Sequence, residues 1–329
     1  MKKISNNLTI LTSNNFNDIS KKIDLPFPFD KHIINLLKEE NLFTQEYHYI
    51  THKDQFAFFI VYKMKLNIFT FGKLPLNINV KIIGFPCSIS ENGYYTNNEK
   101  MMLEYIKTIK GPKLILNVKE TINIKDMTIG QTLPSCIFIN NFKTIKEYLA
   151  SLRSPYRRRL NKAINECVDI KIEKYANKCP KNIYDLYLAT YNKSSYKLEK
   201  LERPFFDKIK ADKIVFSKNA KPVGFVLLKK HQEKLYFMLC GMDYEDDTAD
   251  LYYYMLYKII AYAIEENCKI IDFGQTSEET KLKLGAVLEK RYFYAHHTNK
   301  VLNKLIKINK SLLEYKYSFQ DFHVYKKEV

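Results

Sequence analysis

The stretch KLYFMLCGMDYEDDTADLYYYMLYKIIAYAIEENCKIIDFGQTSEETKLKLGA, residues Lys234 to Ala286, decides how the chain is read. KLYFMLCGMD (Lys234 to Asp243) has the aromatic and aliphatic content of a strand. ADLYYYMLYKIIAYAIEENC (Ala249 to Cys268) is apolar on nearly every side, which marks a helix packed against a sheet. KIIDFG (Lys269 to Gly274) reads as a buried strand ending in glycine. TSEETKLKLGA follows as a short helix begun by Thr276 or Ser277, although Ser277-x-x-Thr280 is weaker than a full capping box. Upstream, DKIVFS and PVGFVLLKK add two strands, and RYFYAHHT adds a last one downstream. The order β-β-β-α-β-α-β from Lys213 onward predicts a mixed sheet with helices on its faces.

The first half carries a fainter version of the same order. YHYITHK, QFAFFIVYKMKLNIFTFG and NVKIIGFPC read as strands. NNEKMMLEYIKTIK (Asn97 to Lys110) has helical spacing and is stopped by Gly111-Pro112. KLILNVK and TLPSCIFIN then return to strand character. There is no close sequence repeat, so the halves are expected to share an architecture only. Between them, FKTIKEYLASLRSPYRRRLNKAINE (Phe142 to Glu166) is interrupted at Pro155, which predicts two helices or one kinked helix. The expected organisation is a helical lead-in over 1–44, with a helix capped by Asp30, a first domain over 45–145, a second over 146–298, and a basic, weakly helical tail over 299–329.

Composition bounds the function. The chain has 329 residues, 46% hydrophobic and 27% charged, enough to build a sizeable core and to exclude wholesale disorder. Lysine and arginine outnumber aspartate and glutamate by 53 to 36, a net charge of +17. That charge suits a polyanionic partner such as nucleic acid or an anionic membrane face. It also suits compositional drift in an AT-rich genome, since Trp is absent and only 9 Gly occur. The longest strongly apolar run, FAFFIVY from Phe56 to Tyr62, is far short of the roughly 20 residues of a membrane span. The N-terminus is too polar for a signal-peptide core, so a cytoplasmic protein without an integral membrane segment is expected, with peripheral membrane contact left open. The six cysteines form no CxxC pair and read as reduced thiols, with no metal site expected.

Two stretches resemble a known family. LPSCIFINNFKTIKEYLASLRSPYRRRLNKAINECVDIKI, and IDFGQTSEETKLKLGA after the apolar helix, are similar to the Fem-type peptidyl and aminoacyl transferases of bacterial cell-wall synthesis and their GNAT-like relatives. The resemblance runs over most of the chain from the strands near residue 45 to the last strand. It implies an α/β (α+β) fold of tandem GNAT-like domains, each a mixed, mostly antiparallel sheet flanked by helices. It also implies an acyltransferase that moves an acyl or aminoacyl group to an amine on a cell-wall precursor, peptide or small metabolite. The co-substrate would be acyl-CoA or aminoacyl-tRNA, with no tightly bound cofactor. Asp272, Phe273 and Gly274 match the family's strand end, and Lys281 matches its lysine four residues before a glycine, here Gly285. The resemblance implies that Lys281 stands near the reacting centre and stabilises an oxyanion or a donor phosphate. Thr280 departs from the aromatic residue that many relatives carry.

The residues themselves give the chemistry to test. Acyl transfer passes through a tetrahedral oxyanion, so a cation or donors must sit where charge develops, and Lys281 at a helix start is a candidate for this. Asp272 ends a strand at the edge where such sheets bind ligands, and is a candidate base or an orienter of Lys281. His296 and His297 are adjacent on a strand, so one faces in and one out; His296 is a candidate general base. Tyr191, Ser195 and Tyr196 are candidates for an acceptor pocket, and Gly274 at the strand end is a further candidate for substrate binding. Arg157 and Arg158 are placed to meet a phosphate or carboxylate. Each has a plainer alternative: a solvated lysine or arginine, a helix cap, an ordinary strand histidine.

CoA-dependent GNAT enzymes carry a glycine-rich loop that binds pyrophosphate at the next helix N-terminus. Here Asp243, Glu245, Asp246 and Asp247 occupy that loop. Their charge repels a pyrophosphate, and Asp243 is expected instead to attract a substrate amine. The competing readings are an acyl-CoA-dependent N-acetyltransferase and a non-catalytic module binding RNA or an anionic surface.

Overall fold

The computed structural model describes residues 8–41, 43–68, 76–87, 89–176, 180–195 and 200–327. The first half contributes β1 (Thr9–Ser13), β2 (Gln45–His52), β3 (Gln55–Asn67), β4 (Asn77–Ile83), β5 (Tyr94–Thr96), β6 (Pro112–Val118) and β7 (Thr128–Ile139), with helices α1 (Phe16–Ser20), α2 (Lys31–Glu39) and α3 (Glu99–Thr108). The second contributes β8 (Lys171–Tyr175), β9 (Asp212–Lys218), β10 (Lys221–His231), β11 (Lys234–Met242), β12 (Ile270–Asp272) and β13 (Val287–His297). Its helices are α4 (Ile145–Ser151), α5 (Ser154–Glu166), α6 (Ile183–Lys193), α7 (Arg203–Lys208), α8 (Leu251–Glu265), α9 (Glu278–Leu282), α10 (Lys300–Ile308) and α11 (Lys310–Leu313).

The strands join one sheet in the order β1-β2-β3-β4-β6-β13-β7-β12-β11-β10-β9-β8, with β5 beside β3. Most pairs are antiparallel. The exceptions are β4 with β6 and β11 with β12, each pair parallel over three residues. A parallel pair needs a crossover. The segment with α3 supplies the first crossover and α8 the second, so the two halves repeat one plan. Each half also lends the other its last strand. β13 pairs with β6, with His296 opposite Lys113, while β7 pairs with β12, with Asp272 opposite Ile137. The two exchanged strands lie side by side, with Phe293 opposite Gly130. The link from β7 to α4, where the sequence places a domain boundary, therefore does not interrupt the sheet.

Local chemistry explains the elements that place the site. Asp30 Oδ1 accepts the Ile33 N–H at 3.0 Å and starts α2 as expected. Thr144 Oγ1 accepts the Glu147 N–H at 3.2 Å to start α4, and Pro155 sits in the first turn of α5, so the interruption makes two helices. In α8, Met255, Leu256, Ile259, Ile260 and Ala263 are fully buried, as its all-round apolar character requires. The α6 backbone lies directly on β11 at Gly241, where a Cβ would fall 2.5 Å from the Leu186 carbonyl carbon.

Two expectations for the ends of the chain are corrected. The lead-in is not purely helical, since β1 pairs along β2 as an edge strand of the sheet. It is only five residues long, as protected edges often are. The tail is not weakly helical, since α10 is a regular amphipathic helix capped by Asn299. Beyond it the chain doubles back to the start of α5, where Arg153 N–H donates to Val324 O at 2.9 Å and Lys326 N–H to Ser151 O at 2.9 Å.

Candidate active site

Each parallel pair splays open beyond its three paired residues, and both splays face one cavity of about 590 Å³. Gly84, Phe85, Cys87, Leu116 and Asn117 line it from the β4/β6 side. Phe237 to Cys240 and Phe273 to Thr276 line it from the β11/β12 side. Phe293 and Ala295 of β13 and Leu133 of β7 lie between them, and Tyr187, Thr190, Tyr191, Ser194 and Ser195 close it from α6. The rim carries Ile306 of α10 and Leu313 of α11. A β-bulge interrupts β11 at Met238, because Phe237 pairs with Leu228 and Leu239 with Leu227. Past Tyr236 no strand among the described residues pairs with β11 on the β12 side, so main-chain groups of Phe237 to Cys240 on that edge are open to a ligand. Gln275 ties the splays together: its Nε2 donates to Asn117 Oδ1 at 2.9 Å and to Leu133 O at 2.6 Å.

The cavity wall carries no carboxylate among its described residues, which include Lys65, Lys113 and Lys281. A bound amine therefore meets no carboxylate that would hold it as an ammonium.

Lys281 is fully buried on the cavity wall. Its ammonium donates to Gly274 O at 3.4 Å, Gln275 O at 2.8 Å and Thr276 O at 2.7 Å. Those three carbonyls belong to a turn with Gly274, Thr276 and Ser277 all at positive φ. Three protons are thus matched to three acceptors, and Lys281 pins the turn rather than offering a free proton to an oxyanion. Burial pushes its pKa below the ordinary lysine value, partly offset by the nearby Cys136 and Cys240. Ser277 occupies the cap position of α9 but makes no capping bond.

Asp272 is also buried, but it turns into a polar knot between the halves. Ser90 Oγ lies 2.8 Å from both of its carboxylate oxygens, Lys234 Nζ 3.0 Å from Oδ2, and the Gly274 N–H donates to Oδ1 at 2.9 Å. Glu91 extends the knot through Lys234 at 3.0 Å and Lys119 at 2.7 Å. Although burial raises its pKa, these two lysines bring the Glu91 carboxyl down to about 2. The Asp272 carboxylate is thus taken up by Ser90, Lys234 and the Gly274 N–H, and Asp272 is not among the residues that line the cavity.

His296 is placed off the cavity, which corrects its reading as a general base there. Alternation on β13 sends Phe293 and Ala295 to the cavity and Tyr294 and His296 to the α3 side. His296 Nδ1 lies 3.0 Å from Lys113 Nζ. Burial, with Lys113 second, lowers the imidazole pKa to about 4, and burial with Lys81 lowers Lys113 to about 8.

The other candidates divide. Tyr191, Ser195 and Gly274 line the cavity, and Tyr196 lies outside the described residues. Arg157 and Arg158 are on α5, away from the cavity, and Arg158 is exposed. Their neighbour Arg159 makes a two-pronged pair with Asp250 and lies over the Tyr253 ring at 5.0 Å. Asp243 is held by Lys221 at 2.7 Å, and Asp247 by Lys218 at 2.7 Å, so two of the loop's four carboxylates are neutralised by strand lysines. Asp243 does not line the cavity. Residues that the sequence reading missed are Asn117, Gln275 and Tyr252. Only Gln275 had a usable signal, its place directly after the strand-ending glycine. Among the described residues no group of three His, Cys, Asp or Glu is arranged to hold a metal ion.

This architecture, one sheet with two splays that share a cavity, is a tandem GNAT-like fold. Residues 151–282 match the family described as the Acetyltransferase (GNAT) domain. The C-terminal domain of an Agrobacterium fabrum protein described as a lysylphosphatidylglycerol synthetase has the same fold, with 11% identity and a TM-score of 0.54 over 92% of this chain and 97% of that one. A tandem GNAT protein from the clavulanic acid biosynthesis pathway matches with 6% identity and a TM-score of 0.50 over 89% and 99%. FemX aligns with 14% identity and a TM-score of 0.48 over 84% and 93%. No curated protein matches the sequence. The GNAT-like part of the sequence resemblance agrees with the family match and the fold. Among the described residues no helix is long and apolar enough to cross a membrane.

Proposed function

We propose that the protein transfers an acyl or aminoacyl group to an amine inside the cavity between the two halves. The observation that carries this is the open β11/β12 splay, whose unpaired main-chain edge at Phe237 to Cys240 faces a cavity without carboxylates. A donor arm laid along that edge finds the hydrogen bonds that β12 no longer makes. Main-chain N–H groups there are aimed at a carbonyl oxygen that becomes negative as the amine attacks. The amine enters neutral, its nitrogen bonds to the donor carbonyl carbon, and the bond from that carbon to the leaving sulfur or oxygen breaks. The proton lost by the nitrogen ends on the leaving group. Lys281 and Asp272 act before the chemistry, by fixing the turn that forms one wall.

The donor class follows from the loop before α8. Residues 243–250 hold no glycine and five carboxylates, which leaves no cradle for a pyrophosphate. With a net charge of +17, an aminoacyl-tRNA suits the chain better than acyl-CoA. The deciding experiment supplies purified protein with labelled acetyl-CoA, a long-chain acyl-CoA or a pool of aminoacyl-tRNAs, together with amine acceptors. Transfer from charged tRNA and none from the thioesters is expected. Turnover of a thioester would overturn the donor assignment, and absence of transfer from every donor would overturn the transferase.

A further inference from the structure

We propose that α10 and the start of α11 dock the protein on an anionic lipid bilayer, with the apolar arc of the helix seated among the headgroups. Val301 is 69% exposed, Leu302 45%, Leu305 49%, Ile308 66% and Leu312 48%. On α10 these residues recur as i, i+1, i+4 and i+7, which makes a single arc rather than scattered surface residues. A helix this amphipathic ordinarily turns its arc to the core. Here it is pinned the other way round: Asn303 Oδ1 accepts the His297 N–H at 2.9 Å and Asn303 Nδ2 donates to Asp126 O at 2.7 Å. Ile306, on the inward side, lines the cavity rim instead.

Charge selects the occupant. Lys300, Lys304, Lys307 and Lys310 are all exposed beside the arc. The single acid from Asn299 to Glu314 is Glu314 itself, 3.3 Å from Lys310. A second copy docking face to face would bring two such lysine rows together. A nucleic acid would pair with the lysines but leave the arc wet. A bilayer satisfies both, because aliphatic side chains enter the acyl boundary while lysines reach the anionic headgroups above it. Since Ile306 and Leu313 also line the cavity, the docked helix borders it. Docking needs no donor or acceptor, so it stands apart from the transferase reading.

The test is flotation of the full chain with vesicles of phosphatidylcholine alone, or with about a third phosphatidylglycerol. Wild type should float with the anionic vesicles and be released as salt rises. The double variant Leu305→Asp, Ile308→Asp should bind at least tenfold more weakly. Each lysine in Lys300→Gln, Lys304→Gln, Lys307→Gln should lower partitioning about fivefold. All these positions are exposed, so an unchanged circular dichroism spectrum verifies the fold of each variant. Absence of flotation with anionic vesicles, or equal flotation of the aspartate variant, would overturn the proposal. So would a wild-type dimer in sedimentation that the aspartate variant converts to a monomer, because the arc would then be an interface between copies. A protein that floats but transfers nothing sustains the docking and overturns the transferase alone.

Discussion

Lys281 gives its three protons to three main-chain carbonyls, and the consequence is measurable. Lys281→Met keeps the stem and removes the ammonium, leaving the Gln275 and Thr276 carbonyls unpaired at the cavity wall. Stability should fall by about 1–3 kcal/mol in urea unfolding. In the transfer assay kcat should drop at least tenfold with little change in acceptor KM, because the wall moves while the acceptor's own contacts persist. A variant with normal kcat would remove the turn from the mechanism. His296 makes a second prediction at this scale. Its pKa is lowered from 6.5 to about 4 by burial and by Lys113, while Lys107 and His297 push the same way and Asp126 opposes. The unfolded chain therefore binds more protons between those values, so this residue's contribution is present above pH 6.5 and lost as pH falls toward 4. The whole shift corresponds to at most about 3 kcal/mol. Unfolding midpoints measured across that window should fall less steeply with acid in His296→Gln than in wild type.

At the scale of the element, α6 depends on a missing side chain. A Cβ at position 241 would stand 2.5 Å from the Leu186 carbonyl carbon and 2.6 Å from the Tyr187 nitrogen, both helix backbone that cannot yield by changing rotamer. Gly241→Ala should push α6 off β11, stretch the bond from Met242 N–H to Thr190 Oγ1, and cost about 1–3 kcal/mol. Tyr191 and Ser195 ride on the end of that helix and should shift with it, raising acceptor KM more than it lowers kcat. Thermal unfolding and steady-state kinetics on the one variant check both halves of the prediction. The opposite pattern holds at α10, where the exposed arc carries no packing and substitutions should leave stability within about 0.5 kcal/mol.

The whole molecule is tied by exchange. β7 lies between β12 and β13, and β13 between β6 and β7, so each half completes its sheet with a strand of the other. Fragments cut in the link between β7 and α4 should each lack a partner strand. Neither should give a cooperative unfolding transition alone, whereas the two refolded together should recover one. Independent folding of either fragment, seen by circular dichroism and resistance to proteolysis, would contradict this dependence. The knot of Ser90, Glu91, Lys234 and Asp272 joins the same halves from the side, and Arg291, fully buried, donates from Nε to Ser90 O at 3.1 Å beneath it.

Sequence by itself determined the elements whose signal is local. The apolar run of α8, the Asp30 cap, the break at Pro155 and the strand-ending Gly274 are matters of periodicity and backbone chemistry within a few residues, and each was legible. So was the closeness of Gly274 and Lys281, because a short helix directly after a buried strand keeps both at one sheet edge, whereas the approach of Tyr191 and Ser195 from α6 was not. What only the tertiary structure decided is non-local. The exchange of β7 and β13 rests on pairings between residues more than a hundred positions apart, and no local pattern encodes a partner. The parity of His296 depends on which face of β13 meets the cavity, and that is fixed by β6 and β7 on either side. Asp272 was legible as a buried strand end, but its commitment to Lys234 and Ser90 required the first half to fold against it. The arc of α10 was written in the tail as a helical pattern, yet its exposure depends on Asn303 anchoring the helix by its other face. Burial and pairing are properties of the assembled sheet, and they chose the role of each residue that the sequence had only made available.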